Sequence, residues 1–111
     1  GDIHERVYDI ACAGNREIVN DRCAAPVGNT VNLESASYRN DIGAALVGAW
    51  WVDPDFDSGE RAFYYVRVIE IPTPTWLAYD QAYYGADIKL PDDALMVHQE
   101  RAYTSPIWYT P

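Results

Sequence analysis

Basic residues and long apolar runs are scarce in this sequence. Lysine occurs once, at Lys89, and lysine and arginine together number 8 against 17 aspartates and glutamates, which gives a formal charge of −9. Because phosphate backbones and anionic lipids bind cationic surfaces, this balance argues against nucleic acid and anionic membrane as partners. No apolar run approaches the ~18 residues of a membrane span, so the sequence predicts no membrane-spanning helix.

Motifs that would identify a catalytic centre are also missing. The sequence has no Gly-rich phosphate loop, no Ser-centred nucleophile elbow and no Cys/His signature. Carboxylates are plentiful, but nothing singles out two of them as a general acid and base. His4 and His98 lie among alternating polar residues, and we interpret them as surface or boundary histidines. The residues therefore predict a chain with neither a catalytic site nor a cofactor of its own.

Only two cysteines are present, Cys12 and Cys23. A zinc site needs about four ligands, and His4 and His98 are the remaining candidates, so zinc is disfavoured. Residues 13–29 are rich in Gly, Asn, Asp and Pro, which predicts a surface excursion. A Cys12–Cys23 disulfide fits such a stretch and would contribute ~2–3 kcal/mol, with free thiols as the alternative. A disulfide would indicate a periplasmic or secreted protein.

Alternation and aromatic content predict a mainly β fold, an antiparallel sheet or sandwich with one short helix. We expect it to form a single β-rich domain, or a fragment of a larger protein, over residues 1–111. Strands are predicted at 3–10, 30–33, 44–52, 62–71, 94–103 and 107–109. A helix is the alternative for 44–52. The 62–71 strand is apolar on both faces, so we expect it to be central, covered on both sides and ended by Pro72.

The single predicted helix covers about residues 74–84. Thr73 suits the N-cap, Pro74 the first helical position, and Gly85 the C-terminal stop. Trp76 and Tyr83 fall at helical spacing within it. A turn is expected over residues 53–60, from its Pro and Ser-Gly content.

Three aspartates in that turn are weak calcium candidates. Asp53, Asp55 and Asp57 alternate as at the start of a calcium-binding loop. Ser58 then replaces the glycine of the sixth position, and Tyr64 replaces the glutamate of the twelfth. The alternative to a calcium-stabilised domain is a solvated turn whose aspartates cap backbone amides.

Tryptophan is the other candidate binding residue. Trp50, Trp51, Trp76 and Trp108 could supply the stacking platform of a carbohydrate- or ligand-binding module. Adjacent residues of a strand point to opposite faces, so Trp50 and Trp51 cannot both join one platform. Core packing or a domain interface is the alternative use of these rings.

Four stretches of the sequence carry a family resemblance. They are PVGNTV at 26–31, WVDPDFD at 51–57, RAFYYVRVIEIPTPTW at 61–76 and QERAYTSPIWYT at 99–110. In order and spacing they resemble the C-terminal region of a large bacterial domain-of-unknown-function family, number three-six-zero-four. Thr75 departs from the basic residue expected before Trp76, and the stretch around Cys12 and Cys23 matches less well.

The resemblance implies that the chain is a non-catalytic accessory lobe. Family members are several times longer and resemble metal-dependent hydrolases of the polymerase-and-histidinol-phosphatase type, with their metal-binding motifs in the N-terminal portion. The partner would then be the remainder of the parent protein, a divalent metal would belong to that parent, and this lobe would pack on the catalytic body and line its cleft. Interface candidates come from the helix and the final segment: Trp76, Tyr79, Tyr83, Arg101, Tyr103 and Trp108.

The resemblance also implies something about the first strand. Residues 3–10 would be the second strand of a hairpin whose first strand lies outside this chain. Such a strand would pair with another polypeptide or remain an exposed edge. The polar start at Gly1 and the absence of an initiating Met agree with a chain that begins partway through a gene product.

Overall fold

Antiparallel strand pairs and a short helix make up the regular structure of the chain. The computed structural model describes residues 2–85 and 88–111. Its elements are β1 (Ile18–Val19), β2 (Arg22–Cys23), β3 (Ala62–Tyr64), β4 (Arg67–Pro74), α1 (Trp76–Tyr84), β5 (Val97–Tyr103) and β6 (Ile107–Tyr109). Strands pair as β1–β2, β3–β6 and β4–β5, all antiparallel and all two-stranded. The predicted class, mainly antiparallel β with one short helix, is confirmed.

The β3–β6 and β4–β5 pairs lie end to end and form one long two-stranded ribbon, residues 62–74 and 97–109. At the joint the Thr104 N–H donates to the Val66 carbonyl oxygen at 2.9 Å, and the Val66 N–H donates to Thr104 Oγ1 at 2.9 Å. The helix α1 and the segment that follows it connect β4 to β5 at one end of the ribbon. The ribbon is the element on which all the surfaces described below are built.

The ribbon's register shifts twice. Tyr64 faces Ile107 on one side of the joint and Arg67 faces Tyr103 on the other, so residues 104–106 oppose only two residues, 65 and 66. A second shift, between Ile69 and Pro72, lies on the other strand. Each shift is a β-bulge-like irregularity, which adds one residue to one strand only.

The predicted central strand at 62–71 is corrected in two respects. It is interrupted at residues 65–66 and then continues through Pro72 to Pro74, because proline is tolerated on an edge strand and each strand of this ribbon is an edge. It is also not covered on both sides, since Val68 is 45% and Ile69 48% exposed. Apolar residues on both faces indicated a central position, but the described chain supplies no layers to cover them.

The helix begins slightly later than predicted. Thr75 rather than Thr73 is the N-cap residue, and its Oγ1 donates to the Leu95 carbonyl oxygen at 2.7 Å instead of capping a helix amide. This bond holds the start of α1 against the segment that enters β5. Gly85 ends the helix at φ 85°, as predicted, because glycine adopts this left-handed conformation without strain.

Two predicted strands are absent from the described residues. Segment 3–10 is irregular. Among the described residues it makes one backbone–backbone hydrogen bond, in which the Asp9 N–H donates to the Asp21 carbonyl oxygen at 2.8 Å. Segment 44–52 is neither strand nor helix, and Leu46 and Trp50 are 89% and 91% exposed. β-Propensity describes a fit to a pleated surface, and no such surface lies beside these segments. At 30–33 the predicted strand is reduced to an isolated bridge from Asn32 to Ser37.

The chain buries little of its surface. Its accessible surface is 9201 Å², whereas a compact monomer of this mass would expose about 6,200 Å². The radius of gyration is 18.8 Å, against about 13 Å for a compact domain of this length. In the described part of the chain the buried residues are Ala36, Pro74, Thr75 and Ala78, and no large side chain is fully buried there. Residues 2–85 and 88–111 therefore form no hydrophobic core of their own.

Candidate interaction site

The predicted disulfide is present. Cys12 and Cys23 are bonded, with their Cα atoms 6.1 Å apart. The loop that they close contains the β1–β2 hairpin, and the Cys23 N–H donates to Asp9 Oδ2 at 2.8 Å. The disulfide and this hydrogen bond hold the N-terminal segment in a fixed position as it enters the loop.

The acidic turn at 53–60 has the geometry of a capped turn. Asp53 Oδ1 accepts the Asp55 N–H at 2.9 Å, and Asp57 Oδ1 accepts the Gly59 N–H at 2.7 Å. Across residues 2–85 and 88–111, no group of three or more His, Cys, Asp or Glu side chains is arranged to hold a metal ion. The aspartates that alternate in the sequence are here directed to amides and to tyrosines.

This turn covers one face of the ribbon at its β3–β6 end. Tyr64 donates from its hydroxyl to Asp53 Oδ2 at 2.7 Å, and Tyr109 donates to the Ser58 carbonyl oxygen at 3.0 Å. Phe56 packs edge-on against Tyr109, with ring centroids 4.9 Å apart. Tyr64 and Tyr109 are consequently half-buried, and we call this side the covered face.

The hydrogen bond to Asp53 also changes the acidity of Tyr64. It raises the pKa of the Tyr64 phenol above its ordinary value of 10.0, and burial and the charge of Asp53 act in the same direction. Ionising the phenol would place two negative charges side by side, so the covered face favours the neutral tyrosine.

The N-terminal segment extends the covered face. Arg6 forms an ion pair with Asp55, and the Tyr8 hydroxyl donates to Asp55 Oδ2 at 3.0 Å. The rings of Tyr8 and Trp51 lie 5.0 Å apart, and Trp51 in turn lies 6.5 Å from Tyr64. Segment 3–10 is thus attached to the ribbon by side chains rather than by strand pairing.

The opposite face of the ribbon carries a continuous row of exposed rings. Trp108 lies 5.1 Å from Phe63, Phe63 lies 6.3 Å from Tyr65, and Tyr65 lies 6.2 Å from Tyr103, measured between ring centroids. In that order these residues are 70%, 43%, 40% and 59% exposed. Nothing in the described chain covers this row as the acidic turn covers the other face.

The strand register adds arginine to this row. Arg67 is paired with Tyr103 and Ile69 with Arg101, and directly opposite residues of an antiparallel pair share a face. All of these side chains are exposed. We call the set the aromatic face, and it consists of Phe63, Tyr65, Arg67, Ile69, Arg101, Tyr103 and Trp108.

The other side of the β4–β5 pair has a different charge. Val68 and Ala102 face each other there, and Glu100, two residues from Ala102, has its Oε1 2.6 Å from the Nε2 of His98. Successive side chains of a strand alternate between faces, so Glu100 lies opposite to Arg101. The β4–β5 part of the ribbon therefore carries arginines on one face and a carboxylate on the other.

Residues 1–111 match the family described as Protein of unknown function (DUF3604). The chain belongs to the DUF3604 family. Comparison with curated proteins gave no match, and neither did comparison with solved structures. The description of the DUF3604 family names no activity.

The structure brings together half of the interface residues predicted from the sequence. Arg101, Tyr103 and Trp108 belong to the aromatic face of this DUF3604 chain. Three others, Trp76, Tyr79 and Tyr83, lie on α1 and are 70%, 49% and 83% exposed. Among the described residues, no ring pair connects these helix aromatics to the row on the ribbon.

Sequence reasoning missed Phe63, Tyr65 and Arg67 as surface residues. It assigned them to a strand covered on both sides, whereas all three are exposed. Their alternation with Tyr64 and Val66 was a usable signal, because period-two spacing places 63, 65 and 67 on one face. Trp51 packs against Tyr8, whereas Trp50 is 91% exposed. Strand alternation is not the cause, because segment 44–52 is not a strand.

Proposed function

We propose that this chain is a non-catalytic accessory lobe of a larger protein, stabilised by packing on polypeptide outside these 111 residues. The observation that carries the proposal is the missing core. The chain exposes about 3,000 Å² more than a compact monomer of its mass, and large obligate interfaces bury about 2,000–5,000 Å² in total. One partner contributes about half of that total, or 1,000–2,500 Å², so the excess is at least as large as the surface that one partner of a permanent interface removes from water.

The family resemblance extends this proposal to the parent protein. We infer a hydrolase-like parent whose divalent metal is held by residues outside this chain, with the lobe packed on the catalytic body and lining its cleft. The lack of a three-ligand group among the described residues supports a division in which this chain holds no metal. The Cys12–Cys23 disulfide supports a periplasmic or secreted location. No helix of the described chain is long and apolar enough to cross a membrane.

The test compares the isolated chain with the full-length protein. With a divalent metal added, we expect phosphoester or related hydrolysis from the full-length protein and none from residues 1–111. Amide hydrogen exchange should be slower throughout the ribbon in the full-length protein, because an interface would suppress its local opening. Hydrolysis by the isolated chain, or equal exchange in both proteins, would contradict the proposal.

The row of exposed rings favours one second candidate, a carbohydrate-binding module. Trp108, Phe63, Tyr65 and Tyr103 are accessible together, and aromatic rings are the residues on which sugars stack. This function predicts that the isolated chain retains binding to oligosaccharides such as cellohexaose, and that Trp108→Ala abolishes it. An accessory lobe predicts no such binding.

A further inference from the structure

The two faces of the β3–β6 pair differ in how they are covered. On the covered face, Tyr64 and Tyr109 donate hydrogen bonds to the acidic turn, and Phe56 packs on Tyr109. On the aromatic face, Phe63 and Trp108 touch each other and are 43% and 70% exposed. Both faces are aromatic, but the acidic turn covers only the tyrosines of one face, where Ile107 is still 74% exposed, and leaves the rings of the other face in contact with solvent. A contiguous exposed apolar surface of this kind marks an interaction site.

Charge gives the aromatic face a chemical preference. Three arginines elsewhere have carboxylate partners: Arg6 with Asp55, Arg22 with Asp9 at 3.5 Å, and Arg39 with Asp41 at 2.9 Å. Arg67 and Arg101, like Arg16 and Arg61, have none within 4.0 Å in the described part of the chain, although the whole chain carries a charge of −9. Arginine beside aromatic rings is the side-chain composition of an interface centre, and its guanidinium group is suited to bidentate pairing with carboxylate.

The chain itself supplies one example of a carboxylate at this face. Tyr65 donates from its hydroxyl to Glu5 Oε1 at 2.5 Å, and Glu5 belongs to the N-terminal segment, which also contacts Asp55 of the acidic turn through Tyr8. This contact raises the pKa of Tyr65, because the neighbouring carboxylate disfavours the phenolate. The phenol therefore remains a hydrogen-bond donor to an acidic partner.

We infer that the aromatic face is the surface by which this lobe docks on the remainder of its own protein, and that the docked surface is apolar with carboxylates opposite Arg67 and Arg101. The inference rests on the proposed function and adds to it the location and chemistry of the contact. A neutral apolar partner would leave both guanidinium groups buried without a counter-charge, which is costly. An acidic partner satisfies them and also selects against incorrect docking.

Hydroxyl-radical footprinting of the full-length protein tests the location of the contact. Oxidation rates of Trp108, Phe63 and Tyr103 are measured by mass spectrometry, with the urea-unfolded protein as the reference. We expect these rings to be protected about tenfold, because side chains in the buried centre of an interface are excluded from solvent. If these three rings were oxidised as fast as in urea while Leu46 and Trp50 were protected, the contact would lie elsewhere on the chain. That result would overturn the inference and leave the proposed function standing. Rapid oxidation at all these positions would overturn both.

Charge reversal tests the chemistry of the contact. In the full-length protein, Arg67→Glu or Arg101→Glu should raise the oxidation rate of Trp108 about tenfold, because each replaces an attractive charge pair by a repulsive one. Arg39→Glu is the matched control, since it makes the same charge change outside the aromatic face and should leave Trp108 unaffected. If the oxidation rate of Trp108 rose equally in all three variants, or in none of them, the inference would be contradicted.

A salt titration covers the case in which the reversed variants fail to fold. Raising the salt concentration of the wild-type full-length protein should increase the oxidation of Trp108, because salt screens the charge pairs, and Arg67→Lys should increase this salt dependence by losing bidentate geometry. Salt-independent protection would contradict an acidic partner. Protection that appears only in a dimer, as shown by analytical ultracentrifugation, would assign the face to a second copy of the chain and overturn the inference. Protection of Trp108 that requires added oligosaccharide would also overturn it.

Discussion

The two faces of the ribbon carry similar side chains and have different surroundings. Tyr64 and Tyr109 lie under the acidic turn, which comes directly before β3 in the chain, whereas Phe63 and Trp108 have no cover in the described residues. The difference shows that aromatic content does not distinguish a face that the chain covers from one that it leaves exposed. What distinguishes them here is whether a nearby segment of the same chain can reach the face.

Breaking the disulfide is expected to have the largest effect on the free energy of unfolding. We expect this effect to concern mainly the covered face. Cys12→Ser with Cys23→Ser should lower the free energy of unfolding by ~3 kcal/mol, because the loop closure that constrains the unfolded chain is lost. Urea unfolding in the presence and absence of reductant measures this effect. Oxidation rates on the aromatic face of the full-length protein should stay unchanged, and a parallel increase there would show that the two faces are not independent.

A pair of adjacent substitutions compares the faces directly. In the isolated chain, Tyr109→Ala should cost ~2 kcal/mol, because it removes a half-buried ring and its hydrogen bond to Ser58, while Trp108→Ala should cost ~0.5 kcal/mol or less. In the full-length protein both should be costly. The measurement is urea unfolding of the four proteins. Similar costs for both substitutions in the isolated chain would remove the distinction between the faces.

The covered face should also respond to alkaline pH. The pKa of Tyr64 is raised in the folded state, so its contribution to stability is present below pH ~10 and is lost as the pH rises through the folded pKa. Asp53→Asn should therefore move the tyrosinate absorbance of Tyr64 to lower pH and weaken the pH dependence of stability in this range. Asp57→Asn is the control, because Asp57 accepts a hydrogen bond from the Gly59 amide rather than from a tyrosine. Equal responses of both variants would exclude the Asp53–Tyr64 contact as the cause.

Calcium is expected to have the smallest effect. If Asp53, Asp55 and Asp57 serve the turn and the tyrosines, as their hydrogen bonds indicate, added calcium should shift the Tm by less than about 1 °C. Differential scanning calorimetry with calcium, and with magnesium as the control, measures this. A Tm that rises with calcium concentration would support the calcium-stabilised alternative.

Elements with local chemical signals could be predicted from the sequence. Gly85 ended the helix, Ser105 and Pro106 separated the last two strands, and the cysteines in a polar loop formed a disulfide. Segments 3–10 and 44–52 could not be predicted, because their alternation or apolar content gives β-propensity without a neighbouring strand to pair with. For the same reason a strand was correctly predicted in the 62–71 region, whereas the prediction that both of its faces are covered was wrong.

Part of the candidate site could also be predicted from the sequence. Arg101, Tyr103 and Trp108 were named from the family resemblance, but their position beside Phe63, Tyr65 and Arg67 depends on the register between strands more than 30 residues apart in the sequence. Register is set by long-range pairing and turn geometry, which local patterns do not specify.

The irregular joint at residues 104–106 determines which side chains can act together. Trp108 and Tyr103 are five positions apart, and in a regular strand an odd separation directs two side chains to opposite sides. The additional residue at the joint reverses this parity and brings both rings into one row. Deleting Ser105 alone would leave Trp108 and Tyr103 four positions apart, and an even separation keeps two side chains on one face of a regular strand. The additional residue is therefore matched to the odd spacing of these two rings, and a chain one residue shorter at the joint could form the same row without a bulge.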